Sequence, residues 1–436
     1  MRYMKKIQAL VITLLLFQKI FSQGLSDTEK KIIDWVKSNR INAEKLLEET
    51  VNINSGTFNI QGVKKTGEVF SRELKKAGLQ TEWVLLPDSL KRAGHLVATR
   101  KGNKGKKIFI IGHLDTVFEP DMPFTPYTKI NDSTATGQGV NDMKGGDVVV
   151  VMALQALESL GLLENTSIVV YFTGDEEESG KPTSISRADF IARAKASDVA
   201  LGFETAQGMN TIAIGRRGFS SWKLEVTAKT GHSAGVFGQG TGYGAIYETA
   251  RILNQFRENL SNEKYLTFNP GIIAGGSEMQ YDHQQIKASV IGKTNIISPA
   301  VIVEGDLRFL TEQQRENARE KMRAIVSKEN LRGTSASISF TNGIPAMEPT
   351  KGNDALRLWV DKVSRDMGLG PANAGDPGSR GAGDISYVAK YVVCIDGLGA
   401  SGKGAHAVGE TINLKEFPLL IQRAAILIYR LTQSQQ

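Results

Sequence analysis

Lys107-Ile108-Phe109-Ile110-Ile111-Gly112-His113 is a short, unbroken apolar run that stops at a glycine and a histidine. A run of this length, rich in β-branched residues and lacking alternation, has the pattern of a strand covered on both faces. Two more of the kind follow, at residues 166–172 (Thr-Ser-Ile-Val-Val-Tyr-Phe) and 198–204 (Asp-Val-Ala-Leu-Gly-Phe-Glu), each with turn residues behind it. Between the first two, residues 146–160 repeat apolar positions at helical spacing. Buried strands alternating with helix imply a mostly parallel sheet with crossover helices, an α/β layer.

The texture changes near Gly215. Residues 218–229 alternate in polarity, 243–260 have helical period, 286–291 and 301–309 are half-buried strands, 311–327 form a charged amphipathic helix and 335–340 another strand. That order is β-α-β-β-α-β, an α+β, ferredoxin-like layout with its helices on one face. After Pro345 the α/β texture resumes, with a helix at 354–367, a strand at 390–396 and a last helix at 414–431. Residues 215–343 are therefore expected to be inserted into one α/β domain made of 23–214 and 344–436.

Residues 1–22 contain Arg2, Lys5, Lys6 and Lys19, no acid, and an apolar run over 9–17, with the small Ser22 at the end. This is the layout of a secretory signal peptide, and the run is far below the roughly 20 residues a spanning helix needs. The expectation is an exported, periplasmic or secreted protein with no stable membrane insertion after cleavage. Without these four bases the net charge of +7 becomes +3 over the rest of a 436-residue chain, and no Lys/Arg cluster is interleaved with aromatics. Nucleic-acid binding is excluded on that ground. The single cysteine, Cys394, permits no internal disulfide, so core or metal must hold the fold.

Chemistry-bearing residues gather where the strands end. His113 closes one run and is followed by Asp115; Asp142 precedes a helix; Asp175, Glu176, Glu177 and Glu178 follow the next strand; Glu204 closes another; His406 sits in a Gly-rich loop after the Cys394 strand. In open α/β sheets ligands collect outside the carboxyl ends of the strands. Alone, Asp142 reads as a helix cap and the acid run as a solvated loop; together they make a set of nitrogen and oxygen metal ligands.

This set resembles the M20 family of zinc-dependent metallopeptidases, in its carboxypeptidase G2-like branch. The resemblance covers nearly the whole mature chain and rests on Gly112-His-Leu-Asp-Thr-Val, Asn141-Asp-Met-Lys-Gly-Gly, Asp175-Glu-Glu, Glu204 and His406. It implies a zinc-exopeptidase-like catalytic domain with an inserted dimerisation or lid domain, and two Zn²⁺, with Co²⁺ or Mn²⁺ as substitutes. It makes His113 and Glu204 ligands of one ion, Glu177 and His406 ligands of the other, and Asp142 the bridge. Asp115 would orient His113, and Glu176 would be the general base for a metal-bridging hydroxide. Two dipositive ions against three carboxylates leave one positive charge, which such a hydroxide neutralises. The resemblance also places a cis peptide at Asn141–Asp142, gives His232 an oxyanion role and makes Asn295 and Arg308 substrate contacts; His95 and His283 match no functional position. It implies a homodimer and a small peptide or N-acyl amino acid as substrate, cleaved next to a free carboxylate. Glutamate-releasing relatives carry arginines where this chain has Asn342 and Ile344, so Arg217, with Arg216, is the candidate replacement cation.

Two rival motifs are present. Gly231-His-Ser233-Ala-Gly fits the elbow of a serine hydrolase, with Asp384 or Asp396 and His406 in the right chain order, but the residues after it form no helix. Gly397-Leu-Gly-Ala-Ser-Gly fits a dinucleotide loop and likewise opens no helix. A secreted binding protein without turnover is the remaining alternative; the complete ligand set with Glu176 speaks against it.

Overall fold

The computed structural model describes residues 24–283 and 285–434. The leader read at residues 1–22 lies outside them. Among the described residues, no helix is long and apolar enough to cross a membrane.

The chain forms two units. The first comprises the chain up to Ile214, Thr350–Gly375 and the part from Lys390 onward; the second comprises Gly215–Pro349 and Asp376–Ala389. The segment 376–389, expected with the α/β domain, falls in the inserted unit instead. The cause is Arg216, whose buried guanidinium donates to the carbonyl oxygens of Gly381 (2.7 Å) and Ala382 (2.8 Å). The insertion also runs beyond 343, because Arg216 and Met347 exchange backbone hydrogen bonds in both directions.

In the first unit a six-stranded sheet runs in the order Gln80–Val84, His95–Arg100, Thr166–Thr173, Lys104–His113, Val199–Gly202, Val393–Ile395. The last four are mutually parallel and the first two are antiparallel additions at one edge. Alternate side chains face opposite layers. Ile108, Ile110, Ile168 and Val170 enter the main core, which includes the nearly all-buried helices Lys144–Ser159 and Phe417–Gln433. Phe109 and Tyr171 turn the other way and meet the Phe190 ring of helix Ala188–Lys195 edge-on, with centroids 5.2 and 5.0 Å away. Burying such rings contributes most of the cohesion of a layer.

The second unit has an antiparallel sheet in the order Thr267–Gly276, Ala300–Phe309, Gly218–Ala228, Thr334–Asn342. Trp222, Leu224 and Val226 alternate inward against Ile252, Phe256 and Leu260 of helix Ala245–Leu260 and Ala318, Met322 and Val326 of helix Glu312–Ser327. The connectivity is the expected ferredoxin-like one, but the second strand is Thr267–Gly276. Residues 287–291 pair only with Glu278–Asp282, as a side hairpin. Pro270 and a pair of glycines disguise Thr267–Gly276 in the sequence; as an edge strand with a register shift after Pro270 it tolerates them.

Candidate metal centre

The α/β sheet delivers the candidate ligands from separate strand ends. His113 is the last residue of Lys104–His113, Glu176 and Glu177 follow Thr166–Thr173, and Glu204 follows Val199–Gly202. Asp142 lies in the turn ahead of helix Lys144–Ser159, where Met143 and not Asp142 is the cap residue. His406 lies between Gly402–Lys403 and Thr411–Asn413, whose small sheet includes Thr134–Thr136 just upstream of Asp142.

These five side chains converge. Asp142 Oδ1 is 3.3 Å from His113 Nε2, and Asp142 Oδ2 is 3.1 Å from His406 Nε2. Glu204 Oε1 is 3.8 Å from His113 Nε2, and Glu177 Oε2 is 3.2 Å from His406 Nε2. One carboxylate thus presents an oxygen to each histidine, and each histidine has a further carboxylate of its own. Ligand atoms of His113, Glu176 and Glu204 lie within 4.8 Å of one another, as do those of His113, Asp142 and Glu177.

The donor set fits divalent metal. His113 Nε2 and Glu177 Oε1 are buried without a hydrogen bond, a condition rare for polar atoms that have no other work. His113 Nδ1 is 3.0 Å from the Asp115 carbonyl oxygen, an acceptor only, so Nδ1 carries a proton and Nε2 is the ring nitrogen turned to the cluster. Mixed imidazole and carboxylate ligation suits zinc, manganese or cobalt.

Without metal the cluster is an ion network. Burial opposes charge on His113, but Asp115 and Asp142, with Glu176 and Glu204 nearby, hold its pKa well above 6.5. Asp142 and Glu177 push His406 up to about 11. Burial would raise Asp142, yet His113 and His406 keep it below its usual range; Glu177, where burial prevails over His406, is raised. His406 also has φ +65°, a left-handed backbone uncommon outside glycine.

Asp115 does more than face His113. Its Oδ1 accepts from Glu176 N–H (3.0 Å) and its Oδ2 from Glu177 N–H (3.1 Å) and Thr57 Oγ1 (2.7 Å). The cis peptide is Asp142–Met143, one bond later than expected. The N–H groups of Asn141 and Asp142 are both taken by Glu410 Oε1, so the preceding peptide is committed to that carboxylate.

The remaining candidates belong to the inserted unit. His232 and Asn295 are neighbours, because His232 bridges Ile296 and Ser233 N–H donates to the Asn295 carbonyl oxygen. Arg308 donates to Asp306 at 2.9 Å. Arg217 makes one long bond to Thr267 Oγ1, while its Nε is buried without a partner. Arg216 donates to the carbonyl oxygens of Gly381 and Ala382. Ser233 opens a three-residue 3₁₀ turn, which removes the serine elbow, and Gly397 to Gly402 leads into a short strand, which removes the dinucleotide loop.

A model of peptidase family M20/M25/M40 matches residues 109–430. The chain belongs to this family. Carboxypeptidase G2 of Pseudomonas sp. (strain RS-16) is 26% identical over 389 residues, covering 88% of each chain. Succinyl-diaminopimelate desuccinylase 1 of Alteromonas mediterranea is 24% identical over 321 residues, 70% of this chain and 77% of its own. The crystal structure of aminopeptidase PepT from Bacillus cereus has the same fold, with a TM-score of 0.71 at 17% identity over 90% of this chain and 99% of that one. This M20 chain is accordingly a hydrolase of the metallopeptidase kind.

Sequence reasoning missed several residues around the M20 site. Arg187, fully buried, donates to Asp175 Oδ1 (2.5 Å), the Asp175 carbonyl oxygen and Ser179 Oγ, fixing the stretch that leads into Glu176. Lys144 is buried with Nζ on the carbonyl oxygens of Thr50 and Ile53, and burial pushes it down to about 7. Asp147 is fully buried and neither carboxylate oxygen has a partner.

Proposed function

We propose that this M20-family hydrolase is exported, holds two zinc ions and cleaves an amide bond next to a free C-terminal carboxylate, as a carboxypeptidase or dipeptidase. The observation that carries the reading is the Asp142 carboxylate with one oxygen toward His113 and the other toward His406. His113 and Glu204 would hold one ion, Glu177 and His406 the other, and Asp142 both. When bound, such ions polarise the scissile carbonyl and lower the pKa of a water to about 7.

Glu176 is the carboxylate left over from this ligand set. Its N–H is fixed to Asp115 Oδ1, and its side chain lies beside His113 and Glu204. It takes the proton of the attacking water and passes it to the leaving amine nitrogen. Asp115 keeps Glu176 and Glu177 in place from one carboxylate. His232 supplies an imidazole for the developing oxyanion, and Asn295, Arg308 and Arg217 supply donors for the substrate carboxylate.

Homodimerisation through the inserted unit is part of the proposal, supported by exposed Ile273 on the edge strand and exposed Ile246 and Tyr247 on the first helix. Export rests on the leader. N-acyl amino acid deacylation is the second reading, favoured by the desuccinylase relative.

The test is metal analysis and a panel of dipeptides and N-acyl amino acids, for wild type and Glu176→Gln. Two ions retained in both proteins, with kcat lower by about 10²–10⁴ in the variant, is the expected result. A zinc-loaded wild type that cleaves no member of the panel would leave a binding protein as the better reading.

A further inference from the structure

We infer that Glu410 is the positioning residue that locks the bridging Asp142 and the His406 loop into one register, so that a second metal ion can bind. The inference rests on the di-metal reading above and adds a residue to it.

Glu410 ends the loop that begins after Lys403 and contains His406, and only 1% of its surface is exposed. Its Oε1 accepts from Asn141 N–H at 2.8 Å and Asp142 N–H at 2.7 Å, and its Oε2 accepts from Gly139 N–H at 2.8 Å. Its carbonyl oxygen accepts from Thr136 Oγ1 at 2.6 Å and from Gly137 N–H at 3.4 Å. One residue therefore ties its own loop to the segment 136–142 by five bonds. Three N–H donors converging on one carboxylate are what a buried charge requires. Within its loop, Glu410 N–H donates to the Ala407 carbonyl oxygen and Ala407 N–H to that of Gly404, so a shift of Glu410 moves His406 with it.

The two ion positions depend on this brace unequally. His113 is fixed by its strand and by Asp115, and Glu204 by its own strand end. His406 sits in a loop held by the short pairing of Gly402–Lys403 with Thr411–Asn413 and by Glu410, and its side chain is 57% exposed. Loss of the brace should therefore weaken the ion shared by Glu177, His406 and Asp142 more than the ion shared by His113, Glu204 and Asp142.

The variant is Glu410→Gln, which keeps the shape but turns an amide NH₂ toward an N–H donor. Zn²⁺ is titrated into metal-free wild type and variant against a chromophoric chelator, and amide hydrogen exchange is followed along the whole chain, residues 136–143 and 404–410 included, in the metal-free proteins. The expected result is one of two ions weakened about 10–100-fold, the usual effect of losing a residue that orients ligands, the other weakened less, and faster exchange confined to 136–143 and 404–410. Wild-type affinity for both ions would overturn the inference, as would unchanged exchange in the metal-free variant. If Glu410→Gln does not fold, Glu410→Asp is read in its place, since the shorter acid keeps the charge but cannot reach all three N–H groups. Wild type binding fewer than two ions would refute the di-metal reading, and with it the claim for the second ion; the exchange data test the brace without metal.

Discussion

Asp147→Asn in the metal-free protein should stabilise the fold, and by an amount that grows with pH. Asp147 lies one turn into helix Lys144–Ser159, fully buried, with both oxygens unpartnered. A Cβ on Gly112 would stand 2.1 Å from its Oδ1, so the site accepts an isosteric amide and nothing larger. Burial raises its pKa well above the ordinary 3.8; His113 pulls down, Glu204 pushes up, and neither reverses the direction. The folded chain then holds a proton that the unfolded chain releases above about pH 3.8. With more protons bound in the folded state, wild-type stability falls as pH rises through that window. One proton of difference is worth about 1.4 kcal/mol per pH unit. Asn carries no such proton, so the advantage of the variant should widen as pH rises through that window, by at most about 1.4 kcal/mol per pH unit. Urea unfolding of both proteins in chelator at pH 5, 6 and 7 measures it, with the other titrating groups common to the pair. An advantage independent of pH, or one that shrinks toward pH 7, would refute the claim that Asp147 is buried in its neutral form.

Three further outcomes follow from the same geometry. Arg187→Met leaves Asp175 buried without its guanidinium and should cost about 3–5 kcal/mol, read as a lower unfolding midpoint; a loss under 1 kcal/mol would contradict a buried pair. Because neighbouring carboxylates hold His113 and His406 protonated at pH 7 in the metal-free state, loading zinc should release about two protons, and metal affinity should fall as pH falls. Calorimetry in buffers of different ionisation heat counts them, and identical heats in all buffers would exclude the release. His232→Ala should lower kcat by about 10²–10³, the usual loss for one oxyanion donor, with metal content unchanged; unchanged kcat would remove His232 from the reaction.

The α/β half of the fold is legible because its strands are apolar on both faces and end in chemistry. The runs closing at His113 and Glu204 and the acid stretch at Glu176 and Glu177 need only the rule that ligands gather at carboxyl strand ends. The inserted layout is legible from alternation around Trp222 and from two amphipathic helices, but not its second strand, where Pro270 and Gly275 suit an edge and read as breakers. Long-range commitments are the part no local pattern shows. Arg216 looks like a free cation until Gly381 and Ala382 are found on its guanidinium, and that same pairing carries residues 376–389 into the other unit. Lys144 and Glu410 look like surface charges until the carbonyl and N–H groups they satisfy come from elements far away in sequence.

The central claim is that two cations share Asp142. Anomalous scattering at the zinc edge from crystals of the zinc-loaded protein tests it most directly. The account predicts two peaks per chain, both in bonding distance of the Asp142 carboxylate, one shared with His113 and Glu204 and the other with Glu177 and His406. A single peak, or two peaks of which one lies away from Asp142, would contradict it.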